Sequence, residues 1–250
     1  MDERLNARVD SPWRGEHFFR YDYVERFIEP TDRVLDLACG EGYGTYRMSQ
    51  RTSREVIGCD ISEDAVNYCR GAWQSPNLSY RVADGTALDF ADGHFDKVVS
   101  FETIEHTTEY ESMLGEFYRV LKPGGTAFIS TPNFPISSPR GYIENPYHTQ
   151  EWRVDELRSI LSRVFDEVTI YGQQYSRHEN GAGLSAGKLT EWFFNQRVIR
   201  RLPISLKNRV SNATNGKLFY PQVDDFRLVL NEREVETCIT LFCVCKKERD

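Results

Sequence analysis

Two groups of residues in this 250-residue chain have the types and spacing to do chemistry. The first lies in Arg33-Val-Leu-Asp-Leu-Ala-Cys-Gly-Glu-Gly-Tyr-Gly44, where Asp36 precedes Gly40, Gly42 and Gly44. Glycines let backbone approach a ligand, and a helix starting after them offers free N–H groups. The loop has no Lys or Arg for a pyrophosphate and carries an extra acid, Glu41. That suits a ligand with a positive centre and no phosphate. The second group is Glu102-Thr-Ile-Glu105-His106. If this stretch begins a helix, positions 102, 105 and 106 share one face. Two carboxylates and an imidazole then converge at one point.

The flanking segments are the kind that place such groups at the rim of a parallel sheet. Val34, Leu35 and Leu37 form a short apolar run, as in a strand buried on both faces. Further strands are expected at Val56–Asp60, Leu78–Val82, Phe95–Phe101, Thr126–Thr131, Glu167–Tyr171 and Thr237–Cys245. Helices are expected over Glu16–Ile28, Thr45–Arg51, Tyr110–Leu121 and Val154–Val164, with Ser62 able to cap another. Lys122-Pro-Gly-Gly125 reads as a helix stop. A Pro- and Ser-rich loop follows over residues 132–150 and ends in Asn145-Pro-Tyr-His148-Thr-Gln-Glu-Trp152. Loops of that length are often functional.

The glycine stretch resembles motif I of the class I S-adenosylmethionine (SAM) methyltransferases, V-L-D-x-x-C-G-x-G. The competing pattern is the dinucleotide turn G-x-G-x-x-G, but here the third Gly comes one residue early, with Thr45 in its place. Val120-Leu-Lys-Pro-Gly-Gly125 resembles motif III of the same family. The resemblance implies a Rossmann-like α/β fold: a seven-stranded, mostly parallel sheet with helices on both faces and the last strand antiparallel between the fifth and sixth. It implies SAM as cofactor, held by Asp36, Ala38, Gly40, Gly42 and Tyr43 in the loop. Asp60 would accept hydrogen bonds from the ribose hydroxyls, and Ile61 would pack on the adenine. Asp84, with Gly85, would hold the adenine amino group, against a reading of Asp84 as a plain turn residue; Phe101 would line the site. Glu16-His17-x-x-Arg20-Tyr21 resembles the N-terminal helix of a bacterial methyltransferase group tied to surface-glycan synthesis, where it covers the cofactor; a plain packing helix fits as well.

Glu102-x-x-Glu105-His106 resembles the E-x-x-E-H metal motif of ubiquinone-pathway O-methyltransferases and small-RNA 2′-O-methyltransferases. In both groups another His lies after the fifth strand, and His148 stands in that region. Glu102, Glu105, His106 and His148 would then bind a divalent Mg, Mn, Fe or Zn ion. Glu105, His106 and His148 become the candidate catalytic residues, since an alcohol needs a base or a metal to lose its proton. The implied activity is O-methylation of a sugar, glycan precursor or small polyhydroxylated molecule. The alternatives are a metal-independent methyltransferase with His106 as general base, and a SAM-binding partner protein without catalysis. An NAD-linked enzyme is disfavoured by the glycine spacing.

Whole-chain properties narrow the partners. A net charge of −7 argues against general nucleic-acid binding. No apolar run reaches membrane-span length, and Met1-Asp-Glu-Arg does not read as a signal peptide. Six Cys without a C-x-x-C pair suggest buried reduced thiols and a cytoplasmic protein. The expected organisation is a polar start with a cofactor-covering segment over 1–30, a SAM-binding core over 31–172, a partly helical substrate-recognition insertion over 173–230 and a final core strand over 231–250. Within the insertion, helical stretches are expected at Leu189–Arg201 and Leu206–Asn212. From Trp192 to Val223 there are six basic residues (Arg197, Arg200, Arg201, Lys207, Arg209 and Lys217) and no acid. Such a run fits a solvated face, or an anionic, nucleotide- or lipid-linked acceptor and contact with an anionic lipid surface.

Overall fold

The sequence's short apolar runs pair into one mixed sheet. A computed structural model describes residues 13–175 and 222–248. The strands are β1 (Arg33–Leu37), β2 (Glu55–Asp60), β3 (Leu78–Val82), β4 (Phe95–Phe101), β5 (Leu121–Pro132), β6 (Glu167–Tyr175), β7 (Phe226–Val229) and β8 (Thr240–Lys246). Their order across the sheet is β3-β2-β1-β4-β5-β8-β6-β7. β1 to β5 pair in parallel, and β8 runs antiparallel to both β5 and β6, as expected. The carboxyl ends of β1, β2, β3 and β4 therefore meet along one rim, where open α/β sheets bind ligands.

The helices are α1 (Arg14–Val24), α2 (Tyr43–Ser49), α3 (Glu63–Ala72), α4 (Tyr110–Val120), α5 (Phe134–Ser137), α6 (Val154–Leu161) and α7 (Glu232–Val235). α4 buries Met113, Leu114, Phe117 and Val120. These join Leu35, Val98 and Ile129 of the sheet and Leu157 and Leu161 of α6 in one core. Cys243 and Cys245 lie in the same core, and all six cysteines are buried free thiols. No helix among the described residues is long and apolar enough to cross a membrane.

The chain divides into two compact units. The larger comprises Val24–Gln173 and Leu228–Asp250 and holds every candidate site residue. In the smaller, the Phe19 ring lies 6.0 Å from that of Phe226, and the guanidinium of fully buried Arg20 lies 3.6 Å from Glu16.

Four expectations need correction. Among the described residues the sheet has eight strands rather than seven, because β7 forms inside the stretch read as an insertion. β5 starts at Leu121 and runs through Pro123-Gly-Gly, because Leu121 pairs with Phe95 across a register shift. The helix does stop at Val120, ahead of Lys122-Pro-Gly-Gly125, but the chain goes straight into the strand. α6 ends at Leu161, three residues before the expected end at Val164. No helix begins at Glu102: β4 ends at Phe101 and only a 3₁₀ turn, Ile104–His106, follows. The expected insertion helices and the basic run from Arg197 to Lys217 lie outside the described residues.

Candidate active site

The loop between β1 and α2 is shaped by three left-handed residues, Ala38 (φ 56°), Gly40 (φ 55°) and Gly42 (φ 73°). Gly42 has no alternative, because a Cβ there would stand 2.7 Å from Cys69 Sγ and 2.9 Å from the Tyr80 ring. Gly40 is different: a Cβ there would meet nothing within 4 Å, so its backbone faces open space. The loop is braced from below. Tyr80 Oη donates to Gly42 O at 2.8 Å, Cys69 Sγ to Gly40 O at 3.2 Å and Trp73 Nε1 to Glu41 O at 2.7 Å. Asp36 is fully buried and accepts from Thr45 Oγ1 at 2.6 Å, which supplies the partner a buried carboxylate requires. A hydrogen bond with Cys69, together with burial, pushes the Cys39 thiol well above its ordinary value, and burial does the same to the Tyr80 phenol. Both groups stay neutral and act as packing and hydrogen-bonding props.

Asp60 closes the loop from the end of β2. Its Oδ2 accepts from Gly40 N at 3.0 Å and its Oδ1 from Ser62 N at 2.9 Å. A carboxylate has about four acceptor positions, so the side chain can hold the loop and still receive ribose hydroxyls. Ile61, next in sequence, is 72% exposed, a large apolar side chain standing in solvent beside that carboxylate. Asp84 is exposed and forms a turn, with its Oδ1 taking both the N–H (2.9 Å) and the hydroxyl (2.8 Å) of Thr86. Those two bonds hold its carboxyl below the usual range. Gly85 is buried against Leu37 and Met113, where a Cβ would sit 2.7 Å from Leu37 Cδ2. Tyr43 opens α2 and is buried, and Phe101 ends β4 with its ring 5.7 Å from that of Phe242.

The second group assembles differently from the helical face expected. Glu102 adopts φ 51°, its N–H donates to Ser130 O at 3.0 Å, and its Oε1 accepts from Ser130 Oγ at 2.6 Å. This pairing carries the chain on beside β5 and sets Glu102 apart from the residues that follow. Glu105, His106 and His148 do come together, with one ligand atom from each lying within 4.8 Å of the others. Glu105 is fully buried and its Oε2 accepts from Thr131 Oγ1 at 3.0 Å. The loop bearing His148 is tied to the Glu105 backbone, whose carbonyl accepts from Thr149 N at 2.8 Å and Thr149 Oγ1 at 3.0 Å. His106 Nδ1 lies 3.1 Å from Tyr147 O, and His148 Nδ1 lies 2.7 Å from Glu151 Oε1.

Two imidazoles and a carboxylate, each ring with one nitrogen held by an oxygen, have the chemistry of a divalent-cation site. Ligand distances of about 2.1 Å place even opposite ligands only about 4.2 Å apart. Burial alone would raise the Glu151 carboxyl, but hydrogen bonds from His148, Ser137 and Ser138 hold it below the usual range.

Comparison with known proteins agrees with the glycine loop. A family model described as a methyltransferase domain matches residues 34–125, from β1 into β5. A probable S-adenosylmethionine-dependent methyltransferase of Mycolicibacterium smegmatis is 38% identical over 157 residues, 62% of this chain and 60% of that protein. Residues 34–125 thus match a methyltransferase domain, and the chain is similar to S-adenosylmethionine-dependent methyltransferases over that segment and beyond. Phosphoethanolamine N-methyltransferase 1 of Arabidopsis thaliana is 31% identical over 174 residues, 59% of this chain and 35% of that protein. The match thus spans less than two thirds of the length of these curated relatives. The solved S-adenosylmethionine dependent methyltransferase from Mesorhizobium loti superposes with a TM-score of 0.58 at 15% identity, covering 91% of this chain and 97% of that one, a likeness of fold.

Sequence reasoning missed the braces of the glycine loop. Cys69, Trp73 and Tyr80 come from α3, its C-terminal end and β3, and no local pattern marks them. It also missed Glu151, although the signal was there: an acid three residues after His148, in the loop singled out as functional.

Proposed function

We propose that this chain transfers a methyl group from SAM to a hydroxyl of a sugar, glycan precursor or other small polyhydroxylated acceptor, with a divalent ion held by Glu105, His106 and His148. The observation that carries the O-methyl reading is the meeting of those three side chains just beyond the end of β4. SAM supplies a methyl group on a sulfonium; transfer forms an O–C bond as the S–C bond breaks, and the acceptor hydroxyl loses its proton. A divalent ion supplies Lewis acidity, so that the hydroxyl ionises near neutral pH.

The chain's own residues do the rest. The open backbone at Gly40 admits the cofactor, Asp60 receives the ribose hydroxyls and Ile61 covers the adenine. Asp84, already ionised, receives the adenine amino group. Thr131 Oγ1 holds the Glu105 carboxylate, and the loop hydrogen bonds tie the Glu105 backbone to the segment that carries His148. The basic run from Arg197 to Lys217 supports an anionic acceptor or carrier.

One observation keeps a metal-free mechanism as the second reading. Tyr147 O beside His106 Nδ1 favours the Nδ1–H tautomer, which leaves Nε2 to take the acceptor's proton. Chelation separates the two readings. Metal-stripped protein, checked by elemental analysis, is assayed for transfer of labelled methyl from SAM to a panel of sugars and diols. The expected outcome is loss of turnover, recovery with a single divalent ion, and unchanged SAM affinity by calorimetry; Glu105→Ala should match the stripped enzyme. Full-rate methylation by stripped protein would sink the metal reading and pass the role of base to His106.

A further inference from the structure

His148 sits between two side chains that no role has yet been given, and together they fix its protonation geometry. Asn145 Oδ1 accepts from Tyr147 N at 3.0 Å. That bond sets the amide's orientation, since its oxygen must face the backbone N–H. Its nitrogen therefore faces His148 Nε2, at 2.9 Å. An amide NH₂ can only donate, so Nε2 must be the ring's acceptor and Nδ1 must carry the proton. On the other side, Nδ1 lies 2.7 Å from Glu151 Oε1, which can only accept. Glu151 is in turn clamped by Ser137 Oγ at 2.5 Å, and its side chain is 1% exposed. These four hydrogen bonds agree on one tautomer.

We infer that Glu151 is a positioning residue that holds His148 as the Nδ1–H tautomer, aiming the Nε2 lone pair at Glu105 and His106, and that the Asn145 amide occupies that lone pair until a divalent cation displaces it. The inference rests on the metal reading of the same site, and it assigns opposite effects to two neighbours. Glu151 assists cation binding by orienting the ligand, as carboxylates behind metal-bound histidines do. Asn145 opposes it, because its hydrogen bond must be given up first. A merely structural pair would shift affinity in the same direction when either member was altered.

The test uses the full chain. Long-range ¹⁵N NMR of histidine-labelled protein, at a pH where the ring is neutral, reads the His148 tautomer directly; Nδ1–H is expected and Nε2–H would overturn the inference. Titration with Mn²⁺ alone, by calorimetry, then compares the parent with Glu151→Gln and with two variants of Asn145. Glu151→Gln should bind Mn²⁺ about 10- to 100-fold more weakly. Asn145→Ala should bind it roughly 2- to 10-fold more tightly, the worth of one hydrogen bond. Asn145→Asp, which can keep the cap on Tyr147 N and removes the donor, should also bind more tightly. SAM affinity should be the same throughout, since its loop is braced by other residues. Equal Mn²⁺ affinity in Glu151→Gln, or no tightening in either Asn145 variant, would overturn it. If the parent binds no Mn²⁺ but shows the Nδ1–H tautomer, the metal reading falls and the orienting role of Glu151 stands. Because the NMR arm needs no variant, misfolding of Glu151→Gln would not blunt the test.

Discussion

Substituting Gly42 by Ala tests the reasoning about the cofactor loop most directly. Two costs follow from the geometry. The residue is held at φ 73°, and a left-handed backbone costs a residue with a Cβ about 1–2 kcal/mol. The new Cβ would also stand 2.7 Å from Cys69 Sγ and 2.9 Å from Tyr80 Cε1 and Oη. Neither neighbour can swing aside freely, because Tyr80 Oη donates to Gly42 O and Cys69 Sγ to Gly40 O. Overpacking of this kind typically costs about 1–3 kcal/mol. The sum is about 2–5 kcal/mol, which in a domain of this size lowers Tm by roughly 5–20 °C. Gly40→Ala is the internal control, with similar backbone strain at φ 55° but open space around the Cβ. It should lose only about 1–2 kcal/mol of stability while losing more SAM affinity, because the methyl projects where backbone approaches the ligand. Differential scanning calorimetry with and without SAM measures both quantities. A Gly42→Ala protein melting with the parent, or a Gly40→Ala protein losing more stability than Gly42→Ala, would refute the reading.

Further outcomes follow from neighbouring groups. Asp60→Ala should weaken SAM binding by about 2 kcal/mol or more, roughly 30-fold, since it frees the Gly40 and Ser62 N–H groups as well as leaving ribose hydroxyls unpaired; undiminished affinity by calorimetry would remove Asp60 from the site. Acid should expose the role of Asp96, which accepts from Arg33 N at 2.8 Å and Lys122 Nζ at 2.6 Å. Burial alone would raise its carboxyl, but those partners hold it below its ordinary value. Its stabilisation is therefore complete above an unfolded value of about 3.9 and is lost as pH falls through the lower folded value. The Tm gap between parent and Asp96→Asn should be open at neutral pH and close in stronger acid; a gap independent of pH would count against the assignment.

The parallel core was legible because each strand is a short apolar run with its own stop. Leu78–Val82 and Phe95–Phe101 were read to the residue, and the glycine loop announced itself by composition. What failed was decided across the sheet. Residues 102, 105 and 106 share a face only in a helix, whereas Glu102 is captured by Ser130, 28 residues away. Helical periodicity cannot register that partner. Glu105, His106 and His148 still converge, because the loop from 133 to 152 folds back and delivers Thr149 and Gln150 to the Glu105 carbonyl. The residue types pointed to the chemistry, but a different backbone supplies the geometry. Tyr80, Cys69 and Trp73 were invisible for the same reason, since a prop is defined by what it touches.

The place of β8 between β5 and β6 has a consequence for biosynthesis. β5 and β6 leave the ribosome well before the strand that must lie between them. Until β8 emerges, two strand edges stand open, the condition in which nascent chains recruit chaperones or pair wrongly. The loop that bears His148 waits as well: Asn133, at its root, is anchored by Nδ2 donating to the carbonyls of Glu236 and Cys238, just ahead of β8. The glycine loop and its braces, drawn from residues 36–80, emerge early. The loop between β1 and α2 is therefore complete in the emerging chain before the loop that bears His148 can be anchored.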